Sequence, residues 1–187
     1  MMHGNMYEEV TFTRECTGII VPDGTETVIP EGMGGYITQI LGGHYTVMMG
    51  TGYLVRIDGQ DADALGKEVE PPPPAKTDSS GNIVVDEEAI WDRLRTVYDP
   101  EIPVNIVELG LIYGLTIEQL KDKTWSVAVQ MTLTAPGCGM GQVLRDDVEQ
   151  RVRDIPGIQD TEVELVFEPA WGPDRMSEAA RLELGFE

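Results

Sequence analysis

Long apolar runs are missing from this chain. No stretch approaches the roughly 18 uninterrupted apolar residues of a helix that crosses a bilayer, so a helical membrane protein is not expected. Met1 to Val10 holds neither a basic nor an apolar segment of the secretory kind. The expectation is no signal peptide and a cytoplasmic location. Cysteine is scarce, with only Cys16 and Cys138. That excludes a disulfide framework, and no CxxC or Cys/His spacing of a zinc site occurs. Histidine is as scarce, with only His3 and His44. Reactions that need an imidazole base are poorly supplied, and a metal held within one chain would depend on carboxylates. Basic residues number 13 against 33 acidic ones, a net charge of −20 over 187 residues. Phosphate backbones and anionic membranes both need Lys and Arg, so nucleic acid and membrane are excluded as partners. Basic proteins and metal ions are permitted, although most of these charges serve simply to keep an acidic protein in solution.

What is present is ordinary globular composition, 41% hydrophobic and 25% charged, enriched in turn formers with 21 Gly and 12 Pro. The clearest boundary is Glu70-Pro71-Pro72-Pro73-Pro74-Ala75 followed by Lys76-Thr77-Asp78-Ser79-Ser80-Gly81. Four prolines favour extended polyproline II, and the polar stretch after them has linker composition. The expected organisation is a small β-rich unit over 1–70, a Pro-rich and polar linker over 71–85, and a second domain over 86–187.

In the first unit, Tyr36–Ile40, Tyr45–Met49 and Tyr53–Ile57 alternate, and Gly42-Gly43 and Gly50-Thr51-Gly52 separate them at hairpin spacing. Thr25–Ile29 is a further strand, closed by Pro30. A small β-barrel or β-sandwich is expected. In the second domain, Ile90, Leu94 and Val97 place a helix over Asp86–Tyr98. Strands are expected over Leu111–Glu118, Ser126–Leu133 and Thr161–Glu168, the last with Val163, Leu165 and Phe167 on one face. Helices are expected over Met140–Val152, and from Ser177, a good N-cap, to Leu184 before Gly185. The order α-β-β-α-β-α describes a small α/β domain with helices packed on a mixed sheet. With the β unit before it, the chain is α+β in class.

Chemistry concentrates in two loops. Thr134-Ala135-Pro136-Gly137-Cys138-Gly139-Met140-Gly141 joins the strongest strand to the second expected helix. A cysteine before a helix N-terminus has its thiolate stabilised by the helix dipole, and Gly137 and Gly139 leave the backbone open to an approaching molecule. A small buried cysteine in a tight turn is the competing reading. Asp99-Pro100-Glu101-Ile102-Pro103 holds two carboxylates in a stiff loop. Either they ligate iron or orient a partner, or Asp99 caps its own turn while Glu101 is solvated. His44 reads as a surface turn residue, Cys16 as packing, and Trp171 as an anchor for the C-terminal segment.

Taken together, Asp99-Pro100-Glu101-Ile102-Pro103, Glu108-Leu109-Gly110-Leu111-Ile112-Tyr113, Met131-Thr132-Leu133-Thr134-Ala135-Pro136-Gly137-Cys138 and Pro169-Ala170-Trp171…Met176-Ser177-Glu178-Ala179-Ala180-Arg181 resemble the small α/β domain shared by SufT-type iron–sulfur assembly factors and PaaD-like proteins. The resemblance covers about residues 86–185. Ile37–Val47 and Asp61–Gly66 further resemble an N-terminal extension of the SufT family. The resemblance implies a non-enzymatic accessory role in iron–sulfur cluster assembly, with the assembly machinery and client apoproteins as partners. It implies that Cys138 is the functional residue, in transient contact with a cluster, with iron or with a partner, and that no cofactor is permanently bound. It also implies that Asp99, Glu101 and Thr134 line one pocket. Many members carry Thr or Ser where this chain has Ala135, so that hydroxyl is missing here.

One thiol per chain cannot replace four cluster thiolates, so a bound cluster would be transient or shared across a homodimer. A thiol-dependent enzyme is the alternative, but only His44 or Cys16 could assist Cys138, and both lie in the other part of the chain. An interaction module for assembling a multicomponent oxygenase is the other alternative.

Overall fold

The computed structural model describes residues 7–137 and 139–186. The chain divides into two compact units, Met1–Pro71 and Pro72–Glu187.

The first unit is one six-stranded antiparallel sheet. Its strands are β1 (Glu8–Thr11), β2 (Cys16–Val21), β3 (Thr25–Ile29), β4 (Gly34–Leu41), β5 (His44–Met49) and β6 (Leu54–Ile57), in the spatial order β1-β4-β5-β6-β2-β3. The strands expected from alternation form. Val47, Val55 and Ile57 turn inward with Ile29 and Ile37 to make the core. β1 and β2 were not expected as strands. β1 has one buried residue, Val10, and β2 breaks its alternation after Cys16 and Gly18, so neither carries the period-2 signal. The backbone of Phe12 bonds to both Met33 and Gly32, each at 2.8 Å, which ties the end of β1 to the loop after β3. A 3-10 helix, Gly59–Leu65, follows β6 and buries Ala62, Ala64 and Leu65.

The second unit opens with a hairpin that was expected to be linker. Lys76–Thr77 (β7) pairs antiparallel with Ile83–Val84 (β8). Asp78 closes the turn, since its Oδ1 accepts from the N–H groups of Ser80 at 2.8 Å and Asn82 at 3.0 Å. The polar composition that suggested a linker is therefore turn chemistry.

Asp86 caps α1 (Glu87–Leu94) by accepting from the Ala89 N–H at 2.8 Å. The helix stops four residues short of Tyr98. The Thr96 hydroxyl donates to the Arg93 carbonyl at 2.6 Å, the next bonds are i→i−3, and Tyr98 instead bridges Asn105. β9 (Ile112–Gln119) runs antiparallel to β10 (Trp125–Met131), and β10 is parallel to β11 (Ile158–Leu165). A parallel pair needs a crossover, which α2 (Gly141–Arg153) supplies. Ile90 and Leu94 of α1 and Leu144, Val148 and Val152 of α2 meet Val127, Val129, Met131 and Val163 in one core. Each such fully buried side chain stabilises the fold by roughly 1.5–3 kcal/mol.

β11 begins earlier and ends earlier than alternation indicated. A register irregularity at Trp125/Ser126 puts Gln159 and Asp160 outward together and hides Ile158 from the period-2 pattern. Phe167 lies beyond the strand and is 45% exposed, so it does not share the face of Val163. The opposite face of the sheet is open. It carries Thr116, Glu118, Gln130, Asp160, Glu162 and Glu164, all exposed. Behind β11, the Arg145 Nε donates to the Val163 carbonyl at 2.9 Å. Ser177 caps α3 (Glu178–Leu184), which ends at Gly185 as expected. Among the described residues no helix is long and apolar enough to cross a membrane.

Candidate functional site

The loop from the end of α1 to the start of β9 has no regular secondary structure, yet much of it is buried. Val97, Val104, Ile106, Leu109 and Leu111 belong to the core. Such a loop persists only if its backbone polar groups find partners. Two side chains supply many of them. Asn105 Oδ1 accepts from the N–H groups of Val107 (3.1 Å) and Glu108 (3.0 Å). Asp99 Oδ1 accepts from those of Glu101 (2.9 Å) and Ile102 (3.1 Å).

Asp99 is 5% exposed. Burial pushes its carboxyl above the usual carboxylate range and the neighbouring charge of Glu101 adds to this, while the two N–H donors and a side-chain hydrogen bond with Thr134 oppose it. The loop between β10 and α2 starts at Thr132, whose N–H donates to the Leu111 carbonyl at 2.8 Å, so the two loops that sequence reasoning had singled out separately meet there. Asp99 caps its own turn, as one of its two readings had it. Glu101 is exposed.

The β10–α2 loop is closed at its base. A Cβ on Gly141 would lie 2.5 Å from Leu133 Cδ1, so a side chain there would push Leu133 aside where the first turn of α2 meets the end of β10. Gly137 has φ +81°, and Gly137 and Gly139 are exposed. Cys138 lies outside the described residues. Met140, at the N-cap of α2, is buried and makes no side-chain cap, and the first turn of the helix carries no acidic residue. The helix dipole is positive at this end.

A third segment completes this region. The Trp171 Nε1–H donates to the Leu109 carbonyl at 2.7 Å, so the indole anchors the C-terminal segment as expected. The Tyr113 hydroxyl donates to the Pro169 carbonyl at 2.8 Å, and the Ser177 N–H to that of Glu108 at 2.8 Å. The Arg175 guanidinium stands 4.5 Å from the centre of the Tyr113 ring. Gly110 has φ +73°, and a Cβ there would fall 2.1 Å from the Arg175 carbonyl oxygen. Sequence reasoning assigned no role to Asn105, Gly110, Tyr113 or Arg175. Asn105 had a signal, since an Asn three residues before Glu108 is a side-chain cap pattern.

In the first unit, His44 is not the free turn residue expected. Its ring is 13% exposed, and Nδ1 accepts from the Gly59 N–H at 3.2 Å. It therefore joins the β4–β5 turn to the start of the 3-10 helix. Cys16 is buried as expected, and burial pushes its thiol above the usual range, with the charge of Asp61 adding to the effect. It is a packing residue.

Comparison with known proteins concerns the second unit. A family model described as iron–sulfur cluster assembly protein matches residues 87–165. An Fe–S protein maturation auxiliary factor of Porphyromonas gingivalis is 48% identical over 100 residues, which is 54% of this chain and 91% of that protein. The Fe–S protein maturation auxiliary factor YitW of Bacillus subtilis is 38% identical over 54% of this chain and 95% of its own length. The factor SufT of Staphylococcus aureus is 44% identical over 48% of this chain and 97% of its own. These matched stretches nearly exhaust the three relatives and leave no room in them for a unit the size of residues 1–71. The expected N-terminal extension has no counterpart in these three.

Proposed function

Since this chain belongs to the iron–sulfur cluster assembly protein family, we propose that it is an auxiliary factor in the maturation of iron–sulfur proteins, acting through the loop that carries Cys138. The observation that carries the reading is the 2.8 Å hydrogen bond from the Thr132 N–H, at the foot of that loop, to the carbonyl of Leu111, which ends the buried loop holding Asp99. It joins the carboxylate loop and the cysteine loop within the half of the chain shared with relatives named as maturation factors.

The role is accessory rather than enzymatic. A soft thiolate is the right ligand type for an iron–sulfur cluster, which is cargo here and not a resident group. Cys16, buried in the other unit, is no second ligand. One copy thus offers one thiolate, with Glu101 of the carboxylate loop exposed. That donor set suits a brief contact, completed by a client apoprotein, by the assembly machinery or by a second copy of this chain. Gly137 and Gly139 leave the backbone uncovered for such a contact.

The test is the activity of a labile iron–sulfur enzyme, such as an aconitase, in cells lacking this protein. The cells are complemented with wild type or Cys138→Ser at matched expression. Wild type restores activity and the variant does not. Full restoration by Cys138→Ser would remove the thiol from the mechanism, and unchanged aconitase in the deleted cells under iron limitation would remove the maturation role.

A further inference from the structure

The helices of the second unit cover one face of its three-stranded sheet, and the other face is bare. Register arranges that bare face in rows across the strands. Thr116, Ala128 and Glu162 form one row, and Gly114, Gln130 and Glu164 the next. They line a trough of about 190 Å³, against roughly 30 Å³ for a water molecule in the liquid. A long side chain fits in it. The row on the other side of Thr116 adds Glu118, Ser126 and Asp160.

Two features of this face work against the stability of the sheet. The first is charge. Glu118, Asp160, Glu162 and Glu164 share the face with no Lys or Arg, and those on β11 stand at i, i+2 steps, roughly 6–7 Å apart. Among the described residues none of the four is ion-paired, and Glu164 accepts a neutral bond from the Gln130 Nε2–H at 3.1 Å. Charges on the helices are matched, by contrast. Arg93 meets Asp154 at 3.5 Å, and Arg95 meets Glu88 at 3.2 Å and Asp92 at 2.9 Å. The second feature is Gly114, since glycine weakens the interior of a strand. Its φ lies outside the left-handed region, and the register irregularity beside it takes its extra residue at Tyr113. A Cβ there would meet nothing closer than Gln130 Oε1, at 3.0 Å, the end of a flexible side chain. Neither backbone nor packing asks for glycine. The missing side chain keeps the trough open, and a strand glycine of this kind marks close approach by another molecule.

We propose that this sheet face is a docking surface for a cationic segment of a partner protein, an extended stretch whose Arg or Lys side chain enters the trough over Gly114 and Ala128 and meets Glu162 and Glu164. Charge complementarity selects that occupant. A second copy of this chain would set carboxylates against carboxylates, and an anionic membrane or a nucleic acid would be repelled as well. The apolar stem of a long cationic side chain suits a floor of glycine and alanine, and its charged head suits exposed carboxylates beside that floor. The surface stands or falls independently of the maturation role.

The experiment titrates the isotope-labelled full chain with a blocked peptide of alternating threonine and arginine, and with its threonine–glutamate counterpart, while amide shifts are followed by NMR. Three variants accompany wild type. Gly114→Thr fills the trough without changing charge. Glu162→Gln with Glu164→Gln removes two carboxylates from the face. Glu178→Gln with Glu183→Gln removes two exposed carboxylates from α3 instead. The arginine peptide moves amides over 114–118, 126–130 and 160–164, its binding weakens with added salt, and the glutamate peptide moves none of them. Gly114→Thr and the Glu162/Glu164 pair each weaken binding roughly threefold to tenfold, and the α3 pair by less than about twofold. Gly114→Thr keeps the denaturant midpoint of wild type or raises it, because threonine suits a strand better than glycine.

Shifts spread over α1 and α3 as much as over the sheet, or equal weakening by the α3 pair, would reduce the binding to general attraction by an acidic protein and overturn the proposal. A lowered midpoint in Gly114→Thr would return that glycine to the fold and do the same. So would calcium chloride alone moving the same amides and displacing the peptide, since the face would then be an ion site. None of these readouts involves aconitase, so a failure of the maturation role leaves them unmoved.

Discussion

The two units solve the problem of irregular backbone in opposite ways. In the first, connections such as Gly42-Gly43 and Gly50-Thr51-Gly52 are short glycine turns between adjacent strands. They ask little of the side chains around them. In the second, the connection from α1 to β9 runs through 17 residues, 95–111, and sends five apolar side chains into the core. A buried connection of that length would ordinarily be costly. It is held because Asp99 and Asn105 accept from its N–H groups and because segment 169–177 occupies its carbonyls. The difference teaches where specific residues are needed. A glycine turn specifies only a reversal, whereas a buried loop fixes particular atoms at particular places, which is what a site requires.

This contrast can be broken most sharply at Gly110. Gly110→Ala places a methyl group against the Arg175 carbonyl at positive φ, and a loss of about 3 kcal/mol or more is expected from the denaturant midpoint. Asp99→Ala comes next. It strips the acceptor from the part-buried N–H groups of Glu101 and Ile102, and about 2 kcal/mol is expected.

Asp99→Asn sharpens the contrast through pH. The folded-state pKa of Asp99 is raised, so the native state holds its proton to higher pH than the unfolded state does. The stability this contributes is present at low pH and is lost as pH rises from the ordinary carboxylate range through the folded value. The stability gap between wild type and Asp99→Asn should therefore narrow from acid toward neutral pH, and a gap that widens would contradict the placement of this carboxyl. Trp171→Phe is expected to cost about 1 kcal/mol, read from the same denaturant curves. Thr51→Ala, in an exposed turn of the first unit, is expected to stay within about 0.5 kcal/mol of wild type.

Regular elements were legible wherever one face repeats. Val127, Val129 and Met131 announce β10, and Leu144, Val148 and Val152 announce α2. Legibility failed where the signal is not periodic. β1 buries a single side chain, the irregularity opposite Trp125 disguises the start of β11, and Asp78 turns an apparent linker into a hairpin. His44 was misread because its partner, Gly59, offers only a backbone N–H, which no sequence pattern advertises. The candidate site was legible in its parts and not in their meeting. Asp99 and Thr134 are 35 positions apart, and Trp171 and Leu109 are 62 apart. Spacing along the chain says nothing about such encounters. Resemblance suggested the first pair, and only the fold brings out the second.

The outward row of β11 has a consequence for how copies of this chain meet. β11 is an edge strand, and an edge strand offers its backbone to any neighbour. Here Asp160, Glu162 and Glu164 stand along it, and Arg145 already occupies the Val163 carbonyl. Two molecules approaching edge to edge would bring like carboxylates together and find that acceptor taken. The strand is thus guarded against edge-to-edge self-pairing.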